Sequence, residues 1–306
     1  MEYTSIIIEQ TVIMFIIIAA GALCHKLNII TQDANKHLSN VVLQIVMPVM
    51  VFMSYQTEYS HSLLNGLLWS FLLSVICFAV TIPLSMLVFK KDDGGNYVIE
   101  RFSVIYSNCA FMGFPLIDGV FGTEGILYTT AFVTVFNIFV WTHGVMTMKN
   151  EVSFKSFLKA LKSPTVIAVF LGIICYVTNI RLPKAIGEAL NYISSMNTPL
   201  AMLIAGVTIA QTNIFGMLKN YKIYIVTAMK LIIVPIICAF ILHFIPVSEI
   251  VYISVVIATA CPAAAIGTLF ALSYNRNANY ASEIFAFTTL FSAITIPLVV
   301  IIAQSF

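Results

Sequence analysis

RFSVIYSNCAFMGFPLIDGVFGTEG, residues Arg101 to Gly125, is apolar enough to cross a bilayer, yet its middle carries Asn108, Gly113, Pro115 and Asp118. Proline removes a backbone donor and crowds the preceding turn. Glycine weakens the helix further. A span built this way breaks partway across. Broken backbone at membrane depth survives only where protein buries it or where it lines a watery cavity. Asn108 to Asp118 therefore read as one half of a substrate site at the bilayer midplane, in the manner of the discontinuous helices of secondary transporters.

The rest of the chain fits that setting. Of 306 residues, 60% are hydrophobic and 9% charged, against about 25% charged in soluble proteins. Nearly the whole chain belongs in the membrane, which leaves no room for a soluble domain. A net charge of +2 is too small to argue for nucleic acid. The six cysteines all lie in apolar segments without a CxxC pair and read as small hydrophobes. Glu2 precedes the first apolar run, and that run is long enough to be a retained helix.

At about 20 apolar residues per span, ten spans are expected, at roughly 6–24, 38–56, 63–89, 101–121, 126–148, 165–180, 186–210, 222–245, 250–274 and 282–303. Twelve Lys and Arg fall in loops on one side, among them Lys90, Lys91, Arg101, Lys149, Lys155, Lys159 and Arg276, and only Arg181 and Lys184 on the other. Basic loops stay inside. This places the protein in the cell membrane as a multi-pass chain with both termini extracellular.

The halves repeat. Pro48 of span 2 matches Pro199 of span 7 at an offset of 151, and Pro83 matches Pro235 at 152. Pro115 then matches Gly267. Five spans per half is an odd number, so residues 151–306 would enter the membrane inverted relative to residues 1–150. The expected fold is all-α, with ten transmembrane helices as two inverted five-helix repeats, an arrangement common among secondary carriers.

The run Asn108-Cys109-Ala110-Phe111-Met112-Gly113-Phe114-Pro115-Leu116 resembles the N-x-x-x-M-G-[hydrophobic]-P-L motif of the auxin efflux carrier family, which contains plant PIN-FORMED exporters and bacterial malate and malonate permeases. Asn137 to Gly144 resembles its N-x-x-x-W-T-x-G segment. Cys261 to Tyr274 resembles its second crossover helix, and Ser292 to Pro297 its last span. The resemblance covers the whole chain. It lacks a long insert between the halves, as in the compact bacterial members. It implies that spans 4 and 9 are broken and cross each other. Spans 1, 2, 6 and 7 would form a scaffold, with 3–5 and 8–10 a mobile transport domain. It also implies a small organic anion as substrate, such as malate, malonate or an auxin-like acid, and makes a homodimer plausible. Where plant members carry proline at the second crossover, this chain has Gly267, with Pro262 five residues earlier. The second break is placed between those two.

Half-helix N-termini favour anions. Asn108 adds an amide that can donate to a carboxylate, and the resemblance puts the carboxylate beside it. Gly113 and Pro115 at the first break, and Pro262 and Gly267 at the second, complete the backbone of the expected site, with Thr259 among the small residues around the second break. Asn137 reads either as a substrate contact or as a hydrogen bond between helices. Lys230 lies inside span 8, where an ionisable residue is a functional candidate by default. It could neutralise the anion, bind free carbonyls of the crossover, or snorkel to the interface. Asp118 could carry a coupling H⁺ or bind Na⁺, or be a solvated end residue. His143 reads as a proton relay or a structural histidine.

The chain has no HExxH, GxSxG, GxGxxG or GxxxxGK[ST], and no pair of intramembrane aspartates. No enzyme, metal or cofactor is expected. The function read from the sequence is a secondary carrier working by alternating access of elevator type; the alternative is an ion or solute channel.

Overall fold

Proline and small polar residues set where each helix starts, bends and stops. The computed structural model describes residues 2–91, 95–149, 162–212 and 217–306. Lys155 and Lys159 lie outside the described residues.

In chain order the helices are α1 (Glu2–Lys26), α2 (Gln32–Ser54), α3 (His61–Val88), α4 (Tyr97–Ile105), α5 (Cys109–Met148), α6 (Pro164–Val177), α7 (Lys184–Ala210), α8 (Tyr221–His243), α9 (Glu249–Ala260), α10 (Ile266–Ser273) and α11 (Ala278–Ser305). Side-chain caps open several of them. Ser163 accepts from the Val166 amide, Ser248 from Val251 and Asn277 from Tyr280, satisfying donors that a helix start leaves free. Asn28, Asn179 and Asn275 follow α1, α6 and α10 with φ of 58°, 54° and 54°. Asparagine is the side chain that best tolerates this left-handed turn when glycine is absent.

Among the described residues seven helices, α1, α2, α3, α5, α7, α8 and α11, are long and apolar enough to cross a membrane. The ten expected spans are thus not ten long helices. The sixth span is the 14-residue α6, about 21 Å long against a hydrocarbon core of about 30 Å. Spans 4 and 9 are divided into shorter pieces. Within α5, Gly122 adopts φ 59° and ψ −148°, a conformation open to glycine alone. It separates the two stretches read as spans 4 and 5.

Three of the prolines follow wide turns. Pro48, Pro115 and Pro235 each follow a five-residue stretch of i→i+5 bonding, at Val42–Val46, Cys109–Gly113 and Met229–Ile233. Widening the turn absorbs the hydrogen bond that proline cannot make. These three prolines therefore bend their helices without interrupting them.

The core is apolar, and so is much of the outer surface. Large apolar side chains such as Ile16, Leu87 and Ile294 face outward, while Ser70, Ser74, Thr81 and Ser85 of α3 are buried. Ser74 and Thr81 donate back to the carbonyls of Ser70 and Cys77, which makes them compact packing surfaces. The most apolar window of α5 is 72% buried and that of α1 only 28%, so α5 is central and α1 peripheral. Helix α1 packs along α7. At their crossing a Cβ on Gly21 would stand 2.3 Å from the Leu203 carbonyl oxygen, and one on Gly206 2.0 Å from that of Ile18. Only glycine permits so close an approach.

Candidate functional site

The chain leaves helical geometry twice in the interior, at Tyr106–Asn108 and at Cys261–Ala265. The two breaks meet as a single antiparallel bridge, Ser107 opposite Ala263. Asn108 N–H donates to the Pro262 carbonyl at 2.7 Å, and Ala264 N–H to the Tyr106 carbonyl at 2.9 Å. Ala263 N–H donates to Thr288 Oγ1 of α11 at 3.1 Å. Each break therefore satisfies backbone groups of the other, as buried peptide groups require.

The positions of the breaks correct the sequence reading. The first lies at Tyr106–Asn108, ahead of Gly113 and Pro115, because Pro115 sits in the first turn after the wide bend, where its missing N–H costs little. The second begins at Cys261 and includes Pro262. Gly267 is helical and packs against the Phe102 ring.

Lys230 is 1% exposed. Its ammonium donates to Ser107 Oγ at 2.5 Å and to the Thr259 carbonyl at 3.2 Å. Ser107 Oγ donates to the same carbonyl at 3.1 Å. Thr259 thus takes part through its backbone; its hydroxyl bonds back to Val255. That carbonyl is one of the last in α9, where the helix end carries partial negative charge and favours a cation. Lys230 does not snorkel. No carboxylate pairs with it among the described residues. The cavity beside it, lined by Cys77, Phe78, Thr81, Ser107, Phe132 and Thr259, holds about 10 Å³, room for one water at most.

Asn108 does not line that cavity. It is 5% exposed, and its carboxamide has no hydrogen-bond partner among the described residues. At the start of α5 the backbone amides of Cys109 and Ala110 turn toward the Cys109 thiol, and that of Phe111 has no partner among the described residues. Ala110 and Phe111 are half-buried, as are Ala265 and Ile266 at the start of α10.

Of the remaining sequence candidates, Gly113 and His143 adjoin the crossover through Cys261 and Tyr106, while Asn137 and Asp118 bond to neither break. Gly113 faces Cys261 Sγ. Asn137 donates to the Val133 carbonyl of its own helix at 2.8 Å. Asp118 is exposed. His143 Nδ1 lies 2.9 Å from the Tyr106 hydroxyl, which donates to the Phe139 carbonyl.

Three residues of the crossover escaped the sequence reading: Tyr106, Ser107 and Thr288. Ser107 carried a signal, a hydroxyl beside Asn108 in an apolar run. Thr288 carried none, since nothing local ties it to Ala263.

A family profile described as "Membrane transport protein" matches residues 6–156 and 147–300. The chain belongs to that family. This membrane transport protein is 28% identical over 220 residues to an uncharacterized transporter of Methanocaldococcus jannaschii, covering 66% of this chain and 68% of that one. It is 22% identical over 301 residues to an uncharacterized transporter of Methanothermobacter thermautotrophicus, covering 95% and 96%. It is a multi-pass membrane protein of the auxin efflux carrier type, and its family has a transport role with no catalytic one indicated.

Proposed function

We propose that this membrane transport protein is a secondary carrier of a small organic anion, a carboxylate of the malate, malonate or auxin-like class, moved by alternating access. The observation that carries the reading is the positive crossover, which holds no carboxylate among the described residues. The free Phe111 amide and the carboxamide of Asn108, with the Cys109 and Ala110 amides that meet only a weakly accepting thiol, form a donor set for a carboxylate. The Lys230 ammonium, bonded to the neighbouring Ser107, has no carboxylate partner among the described residues.

Lys230 acts as a prop and a source of field, while the solute meets Asn108. The cavity of about 10 Å³ beside Lys230 has no room for a carboxylic acid. Thr259 and Pro262 serve through their carbonyls, and Gly113 lets the two breaks approach. Asn137, Asp118 and His143 stay as candidates for solute contact or for H⁺ or Na⁺ coupling.

The architecture we propose is ten crossings in two inverted repeats, 1–150 and 151–306, with both termini extracellular. In support, the family profile matches in two successive stretches that meet at residues 147–156. The pairings of α1 with α7 and of α2 with α6 support a scaffold from spans 1, 2, 6 and 7. The other six spans then carry the crossover past it as an elevator, and a homodimer would hold the scaffold still.

The test is flux into proteoliposomes against a panel of mono- and dicarboxylates. Saturable uptake of at least one is expected. No saturable uptake of any, or steady single-channel currents in a planar bilayer, would overturn the reading.

A further inference from the structure

A second cavity, of about 330 Å³, opens between the C-terminal end of α3, helix α4 and the C-terminal end of α5. Its lining includes Met86, Tyr97, Arg101, His143, Met146 and Thr147. The volume lies within the usual span of small-ligand sites. In the sequence, Arg101 counts only as one more basic residue near a loop.

Arg101 is held in a fixed pose. Its Nε donates to the Phe89 carbonyl at 2.7 Å, and its guanidinium lies over the Tyr97 ring, 5.0 Å from the centroid. Those two contacts set the plane of the group. Its Nη1 and Nη2 atoms have no partner among the described residues. A guanidinium with one edge anchored and the other free matches the two oxygens of a carboxylate.

His143 lines the same cleft. His143 Nδ1 and the Tyr106 hydroxyl share a hydrogen bond of 2.9 Å whose direction follows the tautomer of the ring. His143 Nε2 is buried and has no partner among the described residues. The ring forms part of the cleft wall. Thr147 Oγ1 donates to the His143 carbonyl and keeps its acceptor sites. Met86 and Met146 supply soft apolar walls that adapt to a carbon chain.

We propose that this cleft is a docking site for a small carboxylate anion, a station short of the crossover on the face that bears Lys90, Lys91 and Arg276. The identity of the docked anion as the carried one rests on the carrier reading above. Tyr106 joins the two places. Its hydroxyl meets His143 at the cleft, and its carbonyl accepts the Ala264 amide in the crossover. Basic residues near the mouth raise the local concentration of anions, and Arg101 holds one a single side chain away from the bridge.

The test places a reactive thiol in the cleft. Thr147→Cys is made in a chain carrying Cys24→Ser and Cys175→Ser, with the chain lacking the new thiol as the blank. The purified protein in nanodiscs is treated with the anionic sulfonatoethyl methanethiosulfonate and with the neutral methyl reagent. The anionic reagent is expected to lose at least about fivefold in rate on Arg101→Gln, with the neutral reagent unchanged. Malonate should slow both reagents with Arg101 present and neither with Arg101→Gln, and Arg101→Lys should keep part of the effect. Equal charge response with and without Arg101, or no protection by malonate, overturns the docking site. If Arg101→Gln fails to accumulate, protection by malonate with Arg101 in place decides the matter alone. Flux without protection sinks this proposal and leaves the carrier standing; protection without flux does the reverse.

Discussion

Ser107 and Asn108 are neighbours with different tasks. The Ser107 hydroxyl joins Lys230 to the Thr259 carbonyl, whereas the Asn108 side chain bonds to no other described residue. Removing a hydrogen bond to a charged ligand costs about 1.5–3 kcal/mol, or roughly ten- to a hundredfold in binding. Asn108→Ala is therefore expected to cut initial uptake into proteoliposomes by at least about tenfold with an unchanged melting midpoint; parental uptake would clear Asn108 of any solute contact. Ser107 and Lys230 should instead couple in stability. A double-mutant cycle of Ser107→Ala and Lys230→Ala, read by denaturation in detergent, should give an interaction of about 1–3 kcal/mol. Additivity within about 0.5 kcal/mol would contradict the bond. Asn108 and Lys230 stood out in the sequence because polar groups in apolar runs need a reason. Which of them meets solute did not, since that depends on cavity volume around a contact between residues more than a hundred positions apart.

At the scale of elements, the interruption in span 4 comes from the partner break and not from proline. The backbone at Tyr106–Asn108 is held open by bonds to Pro262 and Ala264. Pro115→Ala should leave that arrangement and transport nearly intact. Ala264→Pro deletes the N–H that bonds Tyr106 and should abolish uptake while a Gly or Ser at the same place does not. Equal uptake by Pro115→Ala and Ala264→Pro would show that the bridge has no part in the cycle. The α1–α7 crossing offers a separate check. Gly21→Leu or Gly206→Leu drives a side chain into a facing carbonyl, and overpacking of this kind costs about 1–3 kcal/mol or more. Both variants should show lowered melting midpoints, read by loss of the monodisperse peak on heating. The quoted stretch announced a weak helix through its glycine and proline, and the structure is interrupted there, but several residues earlier. Proline marks a bend, and the long-range pairing that chooses the break leaves no local trace. For the same reason the proline offsets of 151 and 152 do not carry over to the bridge, whose partners Ser107 and Ala263 lie 156 apart.

For the whole molecule, low charge and outward-facing apolar side chains made the membrane setting readable from composition. Helix number was less so. Length counting treats α6 as a full span although it has 14 residues, and it cannot see that Gly122 turns one long helix into two directions. The Arg101 cleft was invisible for a different reason: a basic residue near a loop has no signature until three helices close around it. The account depends on an anion seated at the crossover against Asn108 and the first amides of α5, with Lys230 behind and out of contact. Anomalous diffraction from crystals grown with a brominated dicarboxylate tests this directly. A bromine peak beside the Asn108 carboxamide is the predicted result. A peak against the Lys230 ammonium, or none at the crossover under conditions where flux is saturated, would contradict it.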